Sequence, residues 1–482
     1  MKINKFIISA SVAMFLAVSC SEDRLNEKPL DQFPIENAIS DEQDMRQVLN
    51  GVYDEYSGVS GFGADILAFG DLISDNVFIS STNNDASYRN VGFLNWSADS
   101  GDFNMLSVLY SGITLANAVI NNTSVEASDN VDNLKGEAMI ARGLGYYYAV
   151  SFYSANPTSN LNQDLGVPLN LGGYNPDLKI PRASVSEVYD QIIKDLTNGI
   201  SLMTNEMPKD KGYLSPTAAR MLLSRVYLTR GKAGDYEKAL QYSNEVINSA
   251  GSSSFDFVQK ENYVDYFTNQ DVAISENQPE TVWEINMNAM PSENPGVNSA
   301  LAVFYANNGG KRRFLFRDTF YKTFAASDIR SKLFQPAGAP SEGTNPKGVW
   351  TKKYIVKTSK GNFTQNVKVL RMSEAYLNKM EALVKLGRNP EALIVLNDFA
   401  TSRGAVAYTT ANLENVLTER RKEFFGEGQR YFDLKRNNLG FSNATNCYSI
   451  VCSVTPDSRL FVIPMPLREM NVNPNMKQYP GY

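Results

Sequence analysis

The chain has 482 residues, 43% of them hydrophobic and 20% charged, a balance that suits a large globular body rather than a disordered or membrane-embedded one. Its formal net charge of -6 argues against nucleic acid as a partner, because binding phosphates needs a basic field. Histidine is absent, which removes Ser-His-Asp and Cys-His nucleophile systems and denies zinc its commonest ligand. No cofactor is expected and no metal-ligating residue is singled out, and the sequence leaves open whether a structural metal ion is bound.

At the N-terminus, Lys2 and Lys5 precede a nearly unbroken apolar run from Phe6 to Val18, too short for a permanent membrane-spanning helix. This predicts a secretory signal peptide over residues 1–19. The run ends in Leu16-Ala17-Val18-Ser19-Cys20, which resembles the bacterial lipobox, where the cysteine is acylated and becomes the mature first residue. Ala17 stands where that motif usually has leucine, and Leu16 lies one step further out. Ser21, Glu22 and Asp23 resemble the acidic tag that sends Bacteroidetes lipoproteins to the cell surface. Cys20 is thus the expected lipidation site, anchoring the chain in the outer membrane by acyl chains that gain about 0.8 kcal/mol per buried methylene. The alternative is an ordinary signal peptide with an incidental cysteine. Residues 20–40 read as a polar tether, since Pro29 and Pro34 discourage helix. No second apolar stretch is long enough to cross a bilayer.

Residues 41–482 read as one unit. From Glu42, apolar residues at Met45, Val48, Leu49, Val52 and Tyr53 fall at helical spacing. A second helix is predicted over Phe103–Asn122, with Leu106, Leu109, Ile113, Ala116 and Ile120 on one face. Helical pairs follow, over about residues 131–250 and 370–437. Residues 131–153 carry Leu134, Ala138, Ala141, Leu144, Tyr148 and Phe152, and either Ser184 or Ser186 caps a helix bearing Val188, Ile192, Leu196 and Ile200. Ser215-Pro216 opens the next helix, Gly231 and Gly234 break it, and Asp235 starts its return. The same grammar recurs from Ser373 through a turn at Gly387 to Asn389-Pro390, and a fourth pair is predicted from Leu413–Phe425 and Glu427–Arg436. The fold class expected is mainly all-α: four tetratricopeptide-like helical pairs forming a superhelix, with an irregular loop-rich lobe. That lobe, about residues 251–369, is rich in Asn, Gly, Ser and aromatics and punctuated by Pro279, Pro291 and Pro295. Within it, Val282-Trp283-Glu284-Ile285 reads as a buried strand. Cys447 and Cys452 either close a small disulfide loop, as an oxidising compartment permits, or remain two thiols.

The stretch Glu419-Arg420-Arg421-Lys422-Glu423-Phe424-Phe425-Gly426-Glu427-Gly428-Gln429-Arg430-Tyr431-Phe432-Asp433-Leu434-Lys435-Arg436 closely resembles a signature of the SusD/RagB family, the outer-membrane nutrient-binding lipoproteins of Bacteroidetes. The ending is similar too, from Phe461-Val462-Ile463-Pro464-Met465-Pro466 through Asn473-Pro474-Asn475 to Gln478-Tyr479-Pro480-Gly481-Tyr482. Further matches are Gly136-Glu137-Ala138 with Tyr146-Tyr147-Tyr148, Gly166-Val167-Pro168-Leu169, and Pro181-Arg182. The resemblance covers nearly the whole chain. It implies one compact unit of four tetratricopeptide-like pairs and a loop-rich lobe, acting as a binding protein and not an enzyme. It also implies a partner, a SusC-like TonB-dependent transporter over which the lipoprotein sits and to which it delivers an oligosaccharide or polysaccharide. The signature itself reads as structural, with Arg430 and Asp433 locking helices through charge-assisted hydrogen bonds.

Sugar recognition needs a flat aromatic face for the C–H surface of the ring and planar amide, carboxylate or guanidinium partners for its hydroxyls. Two stretches offer that mixture. The first holds Asp75, Asn76, Asn83, Asn84, Tyr88, Arg89, Trp96 and Asn104; the second holds Phe304, Tyr305, Asn307, Asn308, Arg312 and Trp350. Asp75-Asn76 also suits a simple turn. A glycosidase would need two singled-out carboxylates, and no motif among the 52 Asp and Glu singles out a pair. Peptide cargo, as in RagB-like uptake proteins, suits the same residue types. A scaffold holding the transporter, with no ligand site of its own, is a third reading.

Overall fold

The computed structural model describes residues 38–80, 85–100, 103–173, 175, 177–204, 210–251, 254–288, 296–335 and 347–482. The signal peptide, Cys20, most of the tether, Asn83, Asn84, Pro291 and Pro295 lie outside the described residues.

The chain is mainly helical, and its caps explain where the helices begin. Helix α1 (Glu42–Ser57) starts where the Asp41 side chain accepts from the Asp44 N–H, and it buries Met45, Leu49, Val52 and Tyr56 along one stripe. A short helix, α2 (Asp65–Leu72), is buried on every side. Helix α3 (Met105–Ile120) is followed by α4 (Asp129–Tyr153), capped by Ser128. Of the two candidate serines, Ser184 caps α5 (Val185–Leu202), in a reciprocal capping box with Glu187. Ser215 and Pro216 open α6 (Pro216–Arg230), Gly231 ends it in the left-handed conformation, and α7 (Asp235–Asn248) returns. After the lobe come α8 (Met372–Lys385), α9 (Asn389–Ser402), α10 (Leu413–Glu423) and α11 (Gln429–Arg436).

From α3 to α9 each helix packs on the next in the order of the chain, and α7 meets α8 directly although the lobe separates them in sequence. The fourth expected pair is looser: α10 packs on α8, whereas α11 lies mainly against α2.

Short antiparallel strands come from the lobe and, for the first of them, from the N-terminal part of the chain. Strands β1 (Val77–Ile79), β3 (Phe314–Arg317) and β4 (Gly348–Val349) form one sheet in the order β1-β3-β4. Strand β2 (Thr281–Ile285) pairs with β7 (Val367–Arg371), and β5 (Lys357–Thr358) with β6 (Gly361–Asn362). Trp283 is fully buried in β2, as expected, and its indole N–H donates to the Gly212 carbonyl at 3.1 Å. One continuous apolar core runs through the helices and most of the lobe. Cys447 and Cys452 form a disulfide, and Tyr448 inside that small loop packs on Phe78 and Phe93.

The charged signature is an internal frame. Arg420 donates to Asp433 at 3.0 Å, and Arg436 reaches both Glu381 and Asp433. The buried Glu423 carboxylate receives Arg330, Arg371 and Arg403, while Glu427 receives Arg371 and Lys353. Arg430 instead crosses to Asp75. Arg430 and Asp433 therefore each tie helices down, through different partners.

Candidate binding site

The two candidate stretches meet. Val77 pairs with Phe316 and Ile79 with Phe314 in the β1–β3 ladder, and the Ser80 N–H extends it to the Arg313 carbonyl. Across this seam the Tyr88 ring stands edge-on to Phe304 at 5.0 Å and to Phe314 at 5.1 Å. Lys311 closes the join by donating to Ser87 at 3.0 Å, within 3.6 Å of Asp85.

Most of the aromatic candidates face inward there. Trp96 is 4% exposed, packs on Phe103, and donates its indole N–H to the Tyr482 hydroxyl at 2.8 Å. Phe304 and Tyr305 are buried; the Tyr305 hydroxyl donates to Asp71 at 2.6 Å. Trp350 is fully buried in a small cluster with Phe78 and Leu315. None of these rings offers a free face to a ligand, because the apolar surface that would stack on a sugar is already covered by the protein's own rings. Asp75 is likewise committed, holding Arg430 at 2.8 Å and Arg421 at 3.2 Å. Its neighbour Asn76 is buried and accepts from Arg421. Tyr88 is half-buried in the left-handed conformation and donates to Asp65.

What remains on the surface is polar. Arg89, Asn104, Asn307 and Asn308 are exposed, and Arg312 is half-buried with φ of 44°. Asn307 and Asn308 open onto a hollow of about 280 Å3, whose walls include Gln335, Thr351, Lys352 and Tyr354. Among the described residues the Gln335 Oε1 atom is shielded from solvent and has no donor facing it. Tyr354 is fixed as a wall, its hydroxyl donating to the Gly426 carbonyl at 2.6 Å and its ring lying 5.0 Å from Tyr305. The Thr351 hydroxyl is already committed, donating to the Leu333 carbonyl and accepting from the Lys353 N–H, but the amides and the Lys352 ammonium around the hollow can grip adjacent hydroxyl groups from both the donor and the acceptor side. Gln335, Thr351, Lys352 and Tyr354 escaped sequence reasoning. For the last three the available signal was the polar and aromatic run directly after Trp350. Among the described residues no group of three or more Cys, Asp and Glu is placed to hold a metal ion.

Two family models match this chain. One, described as "Starch-binding associating with outer membrane", matches residues 23–228, and the other, described as "SusD family", matches residues 334–482. A SusD superfamily protein of Bacteroides vulgatus has a TM-score of 0.81 at 27% identity, over 92% of this chain and 100% of its own. Another, from Bacteroides thetaiotaomicron, has a TM-score of 0.81 at 25% identity, over 91% and 99%. The surface glycan-binding protein A of Bacteroides thetaiotaomicron, solved in complex with laminarihexaose, has a TM-score of 0.72 at 18% identity, over 91% and 99%; that likeness is one of fold. Among curated proteins none matches. The helical stack carrying a lobe is the fold this chain shares with these SusD superfamily structures. The chain belongs to the SusD family.

Proposed function

We propose that this protein is a cell-surface lipoprotein, anchored through Cys20, that captures an oligosaccharide at the Asn307–Gln335–Thr351 hollow and hands it to a SusC-like TonB-dependent transporter. It acts by binding, without turnover. The observation that carries the glycan reading is the hollow's chemistry: two exposed amides, a buried amide oxygen with no donor among the described residues and an ammonium, all carried on the lobe. The starch-binding description of the family model and the laminarihexaose complex of a fold relative support it. A tether from Cys20 to about residue 40 would let the body hinge over a pore.

Titration of the soluble chain beginning at Ser21 against a panel of neutral oligosaccharides tests this. One glycan should bind with little dependence on salt, and the pair Asn307→Ala with Gln335→Ala should weaken it at least tenfold at unchanged melting temperature. Binding of peptides with no glycan bound, or full affinity in the double variant, would sink the reading.

A further inference from the structure

A second hollow lies away from the one just described. It has a volume of about 570 Å3 and follows one face of α10, taking in Leu413, Leu417, Arg421 and Lys422. Those positions recur at helical spacing, so the hollow is a groove parallel to the helix axis. Thr323, Arg430 and Leu439 also line it.

The charges in the groove do not balance. Asp75 at its back serves two guanidiniums. Arg430 spends Nε and Nη2 on that carboxylate, at 2.8 and 3.0 Å. Arg421 spends Nε on Asn76 and Nη2 on the Asp75 carbonyl, with Nη1 3.2 Å from the same carboxylate. Its guanidinium also lies over the Phe320 ring at 4.6 Å, which fixes its plane. Among the described residues the third Arg430 nitrogen, Nη1, and the Lys422 ammonium have no hydrogen-bond acceptor. Lys422 rests 5.8 Å from the Phe324 ring, and burial lowers its affinity for a proton. Glu419 and Asp328, the acids behind it, are both held by Arg330. Glu414 is exposed at the opposite end, about 12 Å from Lys422 by the rise of eight helical residues. Arg421, Arg430 and Lys422 thus gather at one end of the groove, where Asp75 is the carboxylate that Arg421 and Arg430 share and Glu419 and Asp328 act on Lys422 from behind against Arg330.

We propose that this groove is a separate binding site for a carboxylate-bearing sugar, a uronate, held by Arg430 Nη1 and Lys422 with its apolar ring face along Leu413, Leu417 and Leu439. Two half-buried cations lining one groove attract an anion more strongly than fully exposed charges do. Thr418 and Glu414 further along the groove supply partners for ring hydroxyls. The site differs in place and in ligand chemistry from the neutral-glycan hollow on the lobe.

Trigalacturonate and its uncharged methyl ester, titrated into the soluble chain beginning at Ser21, separate the possibilities. The acid should bind, weaken as salt is raised, and bind at least tenfold more tightly than the ester. Lys422→Glu should abolish acid binding and leave the melting temperature and neutral-glycan affinity unchanged. Lys422→Gln, which only removes the charge, should lose at least threefold. The Asn307→Ala, Gln335→Ala chain should retain the acid in full, so failure of the lobe reading is read independently. Equal binding of acid and ester, unaltered binding in Lys422→Glu, absence of acid binding, or capture of a Glu-rich peptide in place of the uronate would each overturn the proposal.

Discussion

Two guanidiniums, from Arg430 and Arg421, close on the Asp75 carboxylate. Burial pushes that carboxyl up, but the two cations outweigh it and hold the group well below the usual carboxylate range. Glu381 behaves alike: burial raises it, Arg436 pulls it down further, and the result is about 2. Both groups have lowered folded-state values, so their stabilisation is present above the ordinary carboxylate range and is lost as pH falls, for Glu381 towards about 2. Asp71 has the opposite sign. Burial pushes its carboxyl up to about 7, opposed by the Tyr305 hydroxyl. The native state therefore holds a proton there that the unfolded chain gives up, and stability falls as pH rises from about 4 to about 7. Asp71→Asn keeps an acceptor for Tyr305 and removes the titration. Denaturant melts at pH 5 and pH 8 should show its stability relative to the parent rising by about 1–3 kcal/mol over that span. A constant difference at both pH values would refute the assignment.

Helices were legible in the sequence wherever a period and a cap agreed. Ser215-Pro216, the Ser184 box and the left-handed Gly231 each mark a boundary by local chemistry that needs no tertiary context. Helix α2 was not legible: Asp-Ile-Leu-Ala-Phe-Gly-Asp-Leu is buried all round and carries no amphipathic period. The short strands β1 and β3 were hidden for another reason, since each is specified by a partner more than two hundred residues away. The ligand candidates suffered from a shared vocabulary. Tyr and Trp serve cores as readily as sugar platforms, so Trp96, Phe304, Tyr305 and Trp350 could be placed in the right neighbourhood but not on the right side of the surface. At this scale Gly70 on α2 is decisive. A Cβ there would stand 2.0 Å from the Gly428 carbonyl oxygen, where α2 rests on the start of α11, and Gly428 itself has φ of 70°. Backbone cannot yield as a side-chain tip can, so Gly70→Ala should cost about 1–3 kcal/mol or more in denaturant melts. Parent-like stability would mean that the two helices can part without loss.

For the molecule as a whole, the Glu423 carboxylate is the junction. Arg330 from the lobe, Arg371 at the end of β7 and Arg403 after α9 converge on it. Glu423→Gln leaves three buried guanidiniums short of a charge, and such losses cost about 3–5 kcal/mol. Because lobe and helices share one core, calorimetry should show a single transition in both proteins, lowered in the variant. Two separated transitions in the parent would contradict the shared core.

The direct packing of α7 on α8 also bears on when the protein can fold. As the chain emerges from the ribosome, α7 appears with one flank bare, and its partner arrives only after everything between Asn248 and Met372 has followed. Closing so long a loop is an entropic toll that local helix formation cannot offset in advance. The stack must therefore wait for its own insertion, and during that interval the exposed flank of α7 is the surface a chaperone would have to shield.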